Sequence, residues 1–149
     1  MQAHEIMVAR VYKAKETDSV RSVIEKFIEF RIGGMPVVNE RNEIVAYISD
    51  GDIMRYLGRN RNSISDFVYA YATFNGFADS FDDRTRSLLE TNVMAIARKK
   101  VITVAWDEEI ENIAAILGKK QIKKVPVERK GALVGIISRG DVIRHVFKP

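Results

Sequence analysis

The chain has 149 residues, of which 46% are hydrophobic and 30% are charged, and it carries a net charge of +4 with no cysteine. This composition is typical of a globular protein, and the lack of cysteine excludes disulfides, thiolate zinc sites and cysteine nucleophiles. No apolar run approaches the roughly 18 residues that would cross a bilayer, so we expect a soluble, cytoplasmic protein that does not insert into membranes.

The first 57 residues predict a small α/β unit. Residues 11–14 predict a short strand, and Thr17 is the predicted N-cap of a helix with one apolar face. Two short apolar runs follow at 35–38 and 44–48, and the polar turn between them indicates a hairpin of buried strands. A closing helix is predicted from Asp52 onward.

The segment 58–92 has a different character. It contains 4 of the 7 phenylalanines and 2 of the 5 tyrosines, and it predicts helices around 65–73 and 79–90, separated near Asn75 and Gly76. These aromatic side chains require burial against the rest of the chain or against another chain.

Residues 93–149 repeat the pattern of the first unit. They predict a strand at 101–104, a helix after Asp107, a hairpin from 125–127 and 133–137, and a closing helix from Asp141. Six residues of the first unit recur unchanged 89 positions later: Val45, Ile48, Ser49, Gly51, Asp52 and Arg55. Such a repeat indicates two copies of one structural unit.

Positive charge is concentrated in this second copy. Residues 1–57 hold 8 basic and 9 acidic residues, residues 58–92 hold 4 and 5, and residues 93–149 hold 12 and 6, so the net charges are −1, −1 and +6. We therefore expect an anionic partner to bind the last third of the chain.

Each copy resembles a CBS domain, and the pair resembles a Bateman module, the two-repeat unit of many nucleotide-sensing regulatory proteins. The matching features are the strand that contains Pro36 or Pro126 and the Ile-Ser-x-Gly-Asp run that closes each copy. The resemblance implies a mixed α/β (α+β) fold in which two β-α-β-β-α repeats, residues 1–57 and 93–149, pack about a pseudo-twofold axis with a helical insert at 58–92. It also implies a non-enzymatic protein without a catalytic cofactor or metal, and a homodimer, which modules of this family often form.

The resemblance further implies an adenosyl ligand, such as AMP, ADP, ATP or S-adenosylmethionine, in the cleft between the copies. The ribose-binding carboxylates fall on Asp52 and Asp141, and the hydroxyls that contact phosphate fall on Ser49 and Ser138. Adenine is expected against the end of the first strand and the residues around the proline. The implied main site contains Ile102, Thr103, Lys124, Val125, Pro126, Ser138, Arg139 and Asp141. The implied second site contains Tyr12, Lys13, Gly34, Met35, Pro36, Ser49 and Asp52.

The residue types support these roles independently of the resemblance. A carboxylate accepts two hydrogen bonds at once, which suits a ribose diol, and the N-terminus of a helix offers free N–H groups to a phosphate. Arg139 and Lys124 have Asp50 and Gly34 as their counterparts in the first copy. We therefore expect the Asp141 site to prefer a phosphorylated nucleotide.

Two other interpretations remain open. Ser-x-x-Asp is also a capping-box pattern, so the pair of copies could be an interaction or dimerisation module without a ligand. The basic last third is compatible with nucleic-acid binding, but the aromatic residues that would stack on bases concentrate in 58–92, where the net charge is −1. The basic run 98–100 is interpreted as a surface turn. The favoured function is a sensor that passes ligand binding to an effector protein through a conformational change.

Overall fold

A computed structural model describes residues 1–58, 80–119 and 122–148. The first part contains α1 (Ala3–Ile6), β1 (Ala14–Lys15), α2 (Val20–Phe30), β2 (Gly34–Val38), β3 (Ile44–Ser49) and α3 (Asp50–Gly58). The later parts contain α4 (Phe81–Leu89), a 3₁₀ turn (Val93–Ala95), β4 (Val104–Ala105), α5 (Ile110–Lys119), β5 (Lys124–Arg129), β6 (Ala132–Ser138) and α6 (Arg139–Val146). Among these helices, none has the length and apolar character needed to cross a membrane.

The predicted order of strand, helix, strand, strand and helix is confirmed in both repeats. Each repeat forms a three-stranded sheet, with strand orders β1-β2-β3 and β4-β5-β6. The first pair in each sheet is parallel and the second is antiparallel, with a register shift after Val37 in one repeat and after Val127 in the other. The apolar residues of the central strands are buried, at 35–38 in β2 and at 125–127 in β5, because both faces of a central strand are covered.

The predicted start of α2 was wrong. Thr17 lies in a turn closed by the amide of Asp18, which donates to the carbonyl of Lys15 at 2.9 Å, so α2 begins later. Its N-cap is Ser19, whose hydroxyl accepts from the amide of Ser22 at 3.3 Å. The turn in the second repeat has the same form, and β1 and β4 lie at the end of the predicted strands rather than along them.

Residues 1–8, at the start of the first repeat, belong to the core of the second repeat. Ala3 and Ile6 of α1 are buried among the apolar side chains of β4, α5, β5 and β6. Val8 exchanges two backbone hydrogen bonds with Ile136 on the edge of β6, at 2.9 and 3.0 Å. The carbonyl of Met1 also accepts from the amide of Ile110, the first residue of α5, at 2.9 Å.

Residues 93–98, at the start of the second repeat, make the reciprocal contact with the first repeat. Val93 and Ala97 are buried in the core of the first repeat. Arg98 and Tyr47, on the edge of β3, donate backbone hydrogen bonds to each other, both at 2.9 Å. The core of each repeat is therefore completed by the first residues of the other repeat.

The two hairpin turns also meet. The amide of Leu133 donates to the carbonyl of Asn42, and the Asn42 side chain donates back to the carbonyl of Leu133, both at 2.9 Å. Asn42 has φ 61° and Gly131 has φ 84°, a left-handed conformation that asparagine and glycine tolerate. These turns join the two repeats on the side away from the helices α3 and α6.

Part of the predicted insert is described. The helix expected around 79–90 is α4, whose Leu88 packs with Val20 and Ile53 of the first repeat. The buried Arg84 donates from Nε to the carbonyl of Leu57 at 2.8 Å. The helix predicted around 65–73 lies outside the described residues.

We predict that Ile6→Ala lowers the free energy of unfolding by about 2–4 kcal/mol, because a buried side chain in the core of the second repeat is lost. Val8→Ala is the control. Val8 lies on the same segment but is 46% exposed, so its truncation should lower the free energy of unfolding much less. Urea denaturation of both variants measures the difference. Equal small losses would show that the N-terminal segment is not part of this core.

Candidate functional site

Two cavities lie where residues of both repeats meet, and each contains one Ser-x-x-Asp run. The larger has a volume of about 440 Å³ and contains Ser49 and Asp52. The smaller has a volume of about 230 Å³ and contains Ser138 and Asp141. We call them the Asp52 cavity and the Asp141 cavity.

The segment that precedes the first strand of each repeat lines the cavity that contains the aspartate of the other repeat. Ile102, which precedes β4, lines the Asp52 cavity, and Tyr12, which precedes β1, lines the Asp141 cavity. The sequence grouped each of these residues with the aspartate of its own repeat. The structure places them with the other aspartate, because each segment runs along the sheet edge of the opposite repeat.

The other predicted residues divide into two groups. Gly34 and Lys124 line both cavities, and Pro126 lines the Asp52 cavity. Neither cavity is lined by the remaining ones: Lys13, Met35, Pro36, Thr103, Val125 and Arg139. Met35 and Val125 point into the two cores, since side chains alternate along a strand, and the Lys13 ammonium donates to Asn42 Oδ1 at 2.8 Å.

Arg139 has a structural contact instead of a place in the Asp141 cavity. Its guanidinium donates to the carbonyls of Leu117 and Ile122, both at 3.0 Å. These carbonyls lie at and beyond the C-terminal turn of α5, where a cation is favourable. Arg139 therefore binds the end of α5 in this structure and does not line the Asp141 cavity, where the sequence predicted its charge.

Positive charge instead surrounds the Asp52 cavity. The lining contains two carboxylates, Asp50 and Asp52, and four cations, Arg98, Lys100, Lys123 and Lys124. The Asp141 cavity has one carboxylate and two cations, Arg10 and Lys124. The sequence interpreted 98–100 as a surface turn and missed Arg98 and Lys100, because their role depends on the exchange of segments between repeats.

Both aspartates are held at the N-terminus of a helix. The amide of Ser138 donates to Asp141 Oδ2 at 2.8 Å, and the amide of Asp141 donates to the Ser138 hydroxyl at 3.1 Å. In the first repeat the amide and hydroxyl of Ser49 donate to Asp52 Oδ2 at 2.9 and 3.1 Å. The second repeat therefore forms the capping box that the motif also indicates, and in the first repeat Ser49 donates both bonds to Asp52.

These capping hydrogen bonds do not use all of the acceptor positions of the two carboxylates. Asp52 and Asp141 are each only 7% exposed, and their Oδ1 atoms accept from Arg55 and Arg144, three residues later. A carboxylate has about four lone-pair positions, of which Asp52 uses three and Asp141 uses two, so one position remains on Asp52 Oδ1 and one on each oxygen of Asp141. Each aspartate therefore presents a fixed acceptor to a hydroxyl group in its cavity.

Asp141 is held in its ionised form. Burial by itself raises the pKa of this carboxyl, but the hydrogen bonds from Ser138 and Arg144 and the charge of Arg144 together lower the pKa below its usual value. The ionised carboxylate is the form that accepts hydrogen bonds from a diol.

Two glycines admit side chains of the first repeat to the Asp52 cavity. A Cβ on Gly34 would lie 2.7 Å from the Tyr47 hydroxyl oxygen, and a Cβ on Gly33 would lie 2.7 Å from Asp50 Oδ2. Burial, and next the negative charge of Asp50, raise the pKa of Tyr47 to about 12. Tyr47 therefore remains a neutral hydroxyl donor at the cavity wall, a residue that the sequence did not indicate.

Comparisons with known proteins agree with this architecture. A family model described as CBS domain matches residues 3–59 and 93–148. The chloroplastic CBS domain-containing protein CBSX1 of Arabidopsis thaliana is 31% identical over 145 residues, which are 93% of this chain and 60% of that protein.

Solved structures share the fold at lower identity. The structure of CBSX2 in complex with AMP has a TM-score of 0.73 and 20% identity, over 99% of this chain and 96% of that chain. The CBS domain pair of MJ0100 in complex with 5-methylthioadenosine and S-adenosyl-L-methionine has a TM-score of 0.68 and 20% identity, over 98% of this chain and 95% of that chain.

We predict that Asp141→Asn lowers the free energy of unfolding by about 1 kcal/mol at pH 7, because the ionised carboxylate caps α6 and pairs with Arg144. The folded state lowers the pKa of Asp141, so this stability is complete above the usual value of 3.8 and is lost as pH falls through the lowered pKa. Urea denaturation of wild type and variant from pH 7 to pH 2 measures the difference.

The control is Asp107→Asn, at an exposed carboxylate. A deficit of Asp141→Asn that persisted undiminished at pH 2 would contradict the assigned role of the charge.

Proposed function

The chain belongs to the CBS domain family, and from this premise we propose that it is a non-enzymatic sensor that binds adenosyl ligands in its two cavities. The observation that carries the proposal is the same in both repeats. A nearly buried carboxylate stands at the N-terminus of a helix, inside a cavity that also holds cations from the opposite repeat. Modules of this family regulate other proteins and do not catalyse reactions.

This arrangement suits the two polar parts of a nucleotide. The carboxylate accepts hydrogen bonds from a ribose diol, and it would repel a phosphate placed at the same point. The lining cations and the positive end of the helix dipole attract a phosphate placed beside it. An adenosyl ligand thus has one region of the cavity for the sugar and another for its negative charge.

We assign the tighter binding of a phosphorylated ligand to the Asp52 cavity. Its volume of about 440 Å³ lies within the range of small-molecule sites, whereas about 230 Å³ lies below that range. Arg98, Lys100 and Lys123 are cations of this cavity and not of the other. The Asp141 cavity suits a smaller or less anionic adenosyl compound, which reverses the preference expected from the sequence.

The neighbouring structures support the ligand class. They contain AMP in one case, and 5-methylthioadenosine and S-adenosyl-L-methionine in another. All three are adenosyl compounds, but they differ in charge. The two cavities of this chain also differ in charge, so we expect them to prefer adenosyl ligands of different charge.

Because the cavities lie between the two repeats, ligand binding can change the arrangement of the repeats. A ligand that touches both repeats shifts their relative arrangement only if it binds one arrangement better than another. The changed surface would then bind an effector protein in the cytoplasm, where adenosyl nucleotides are abundant.

We predict that Asp52→Asn weakens binding of AMP or ADP at least tenfold, because the charged acceptor for the ribose is lost. Asp50→Asn is the matched control. It removes a carboxylate from the same cavity but leaves the hydrogen bonds between Ser49 and Asp52 in place, so it should leave binding of these anions unchanged or strengthen it.

Isothermal titration calorimetry of wild type and both variants makes this measurement, with S-adenosylmethionine and ATP as further ligands. Equal losses in the two variants would show that charge at this point is not used to bind the ribose. Failure of every adenosyl ligand to bind folded wild type would refute the proposal.

A second proposal concerns a homodimer. Met54 on α3 is 60% exposed, and Ile143, its counterpart on α6, is 58% exposed. The two repeats thus expose an apolar side chain at the same position of their closing helices. Such a repeated position is self-complementary under twofold symmetry, so we propose a second copy of the chain as its partner.

We predict that Ile143→Glu converts the dimer to monomer, because it places a charge in an apolar contact. The control is Ile28→Glu on α2, a position that is 74% exposed and has Gly118 as its counterpart in the second repeat. Sedimentation velocity at several protein concentrations distinguishes the species. Dissociation by both variants, or by neither, would contradict the assigned surface.

A further inference from the structure

One pair of equivalent residues lies between the two cavities. Gly34 and Lys124 are the first residues of β2 and β5, and both line the Asp52 cavity as well as the Asp141 cavity. The two positions correspond in the repeat, 90 residues apart. Glycine has no side chain, so this shared wall carries a cation from one repeat only.

The ammonium of Lys124 is available for a ligand. Within residues 1–58, 80–119 and 122–148, no hydrogen bond or ion pair holds it, whereas the Lys13 and Lys26 ammonium groups donate to Asn42 and to the carbonyl of Lys13. The residue is half-buried, so its charge is screened less than that of a fully exposed lysine. Its flexible four-carbon stem allows the ammonium to turn toward either cavity.

We propose that Lys124 is a ligand-binding residue shared by both cavities, and that a phosphorylated ligand in one cavity weakens the binding of a second one in the other. This inference rests on the proposed function, because it requires both cavities to bind adenosyl ligands. A single ammonium that pairs with the first phosphate is lost to the second. The second ligand also meets the negative charge of the first across a partly buried wall.

The coupling between the cavities is negative and requires ligands that carry phosphate. It lowers affinity for the second anion, and by reciprocity the factor is the same whichever cavity fills first. It depends on phosphate charge, so adenosine, which has no phosphate, should show little coupling. The cations that line one cavity only, such as Lys123 and Arg10, should strengthen their own site without linking it to the other.

The test is a thermodynamic cycle with AMP in isothermal titration calorimetry. Asp141→Asn weakens AMP binding in the Asp141 cavity and Asp52→Asn weakens it in the Asp52 cavity, so the stronger binding step of each variant gives the association constant of the intact site. For independent sites, the overall association constant of wild type for two AMP molecules equals the product of the two single-site constants. We expect it to be about tenfold lower than this product.

Lys124→Met keeps the stem and removes the charge, and in that background we expect the overall constant to move close to the product, with only the direct repulsion between the two phosphates left. Lys123→Met is the matched control, because it removes the neighbouring cation from the Asp52 cavity alone and should retain the tenfold discrepancy. Circular dichroism of each variant verifies the fold.

The outcomes separate this inference from the proposed function. A wild type that binds no AMP refutes the ligand assignment itself. Two AMP molecules that bind independently, an unchanged discrepancy in Lys124→Met, or one AMP per chain in both wild type and Lys124→Met would overturn the shared role of Lys124 alone.

Discussion

The edges of the sheets at β3 and β6 each pair with an extended segment that precedes the first strand of the opposite repeat. Paired hydrogen bonds between Tyr47 and Arg98, and between Ile136 and Val8, hold these segments in place. An uncovered sheet edge exposes unpaired backbone groups, and the cores would lose Val93 or Ile6 without the exchange. Neither repeat is complete alone, and for the same reason each cavity has walls from both repeats.

The closing helices connect the candidate ligand sites to the proposed dimer surface. Helix α3 carries Asp52 in its first turn and exposes Met54 two residues later, and α6 carries Asp141 and Ile143 in the same relation. The aspartate already stabilises its helix through the hydrogen bonds with the preceding serine. In the proposed function a ligand that binds this carboxylate therefore acts on the helix that presents the apolar contact, so the ligand site and the partner surface share one rigid element.

Much of the fold follows from the sequence because it depends on local pattern. The repeat, the strand and helix order and the two Ser-x-x-Asp turns are visible in apolar spacing and in the identities from Val45 to Arg55. Ser19 rather than Thr17 caps α2, since a turn at Lys15 to Asp18 delays the helix, and nearby polar residues look alike in a sequence. Helix α1 has only four residues, too few for a periodic signal.

The composition of the cavities was harder to predict, because it depends on contacts between distant segments. The spacing around each aspartate identified Ser49 and Ser138 correctly as its hydrogen-bond partners. It could not show that Ile102 and Lys100 would cross to the Asp52 cavity, since the crossing is a property of tertiary packing. Arg139 illustrates the reverse, because a nearby cation in sequence became a partner of helix α5.

The central claim is that the two cavities bind adenosyl ligands with the ribose at the aspartates. The most direct measurement is a crystal structure of the chain grown with AMP. The account predicts ribose hydroxyls within hydrogen-bond distance of the Asp52 carboxylate, with the phosphate toward Lys100 and Lys123. AMP located elsewhere, or bound with its phosphate at the aspartate and its ribose away from it, would contradict the account.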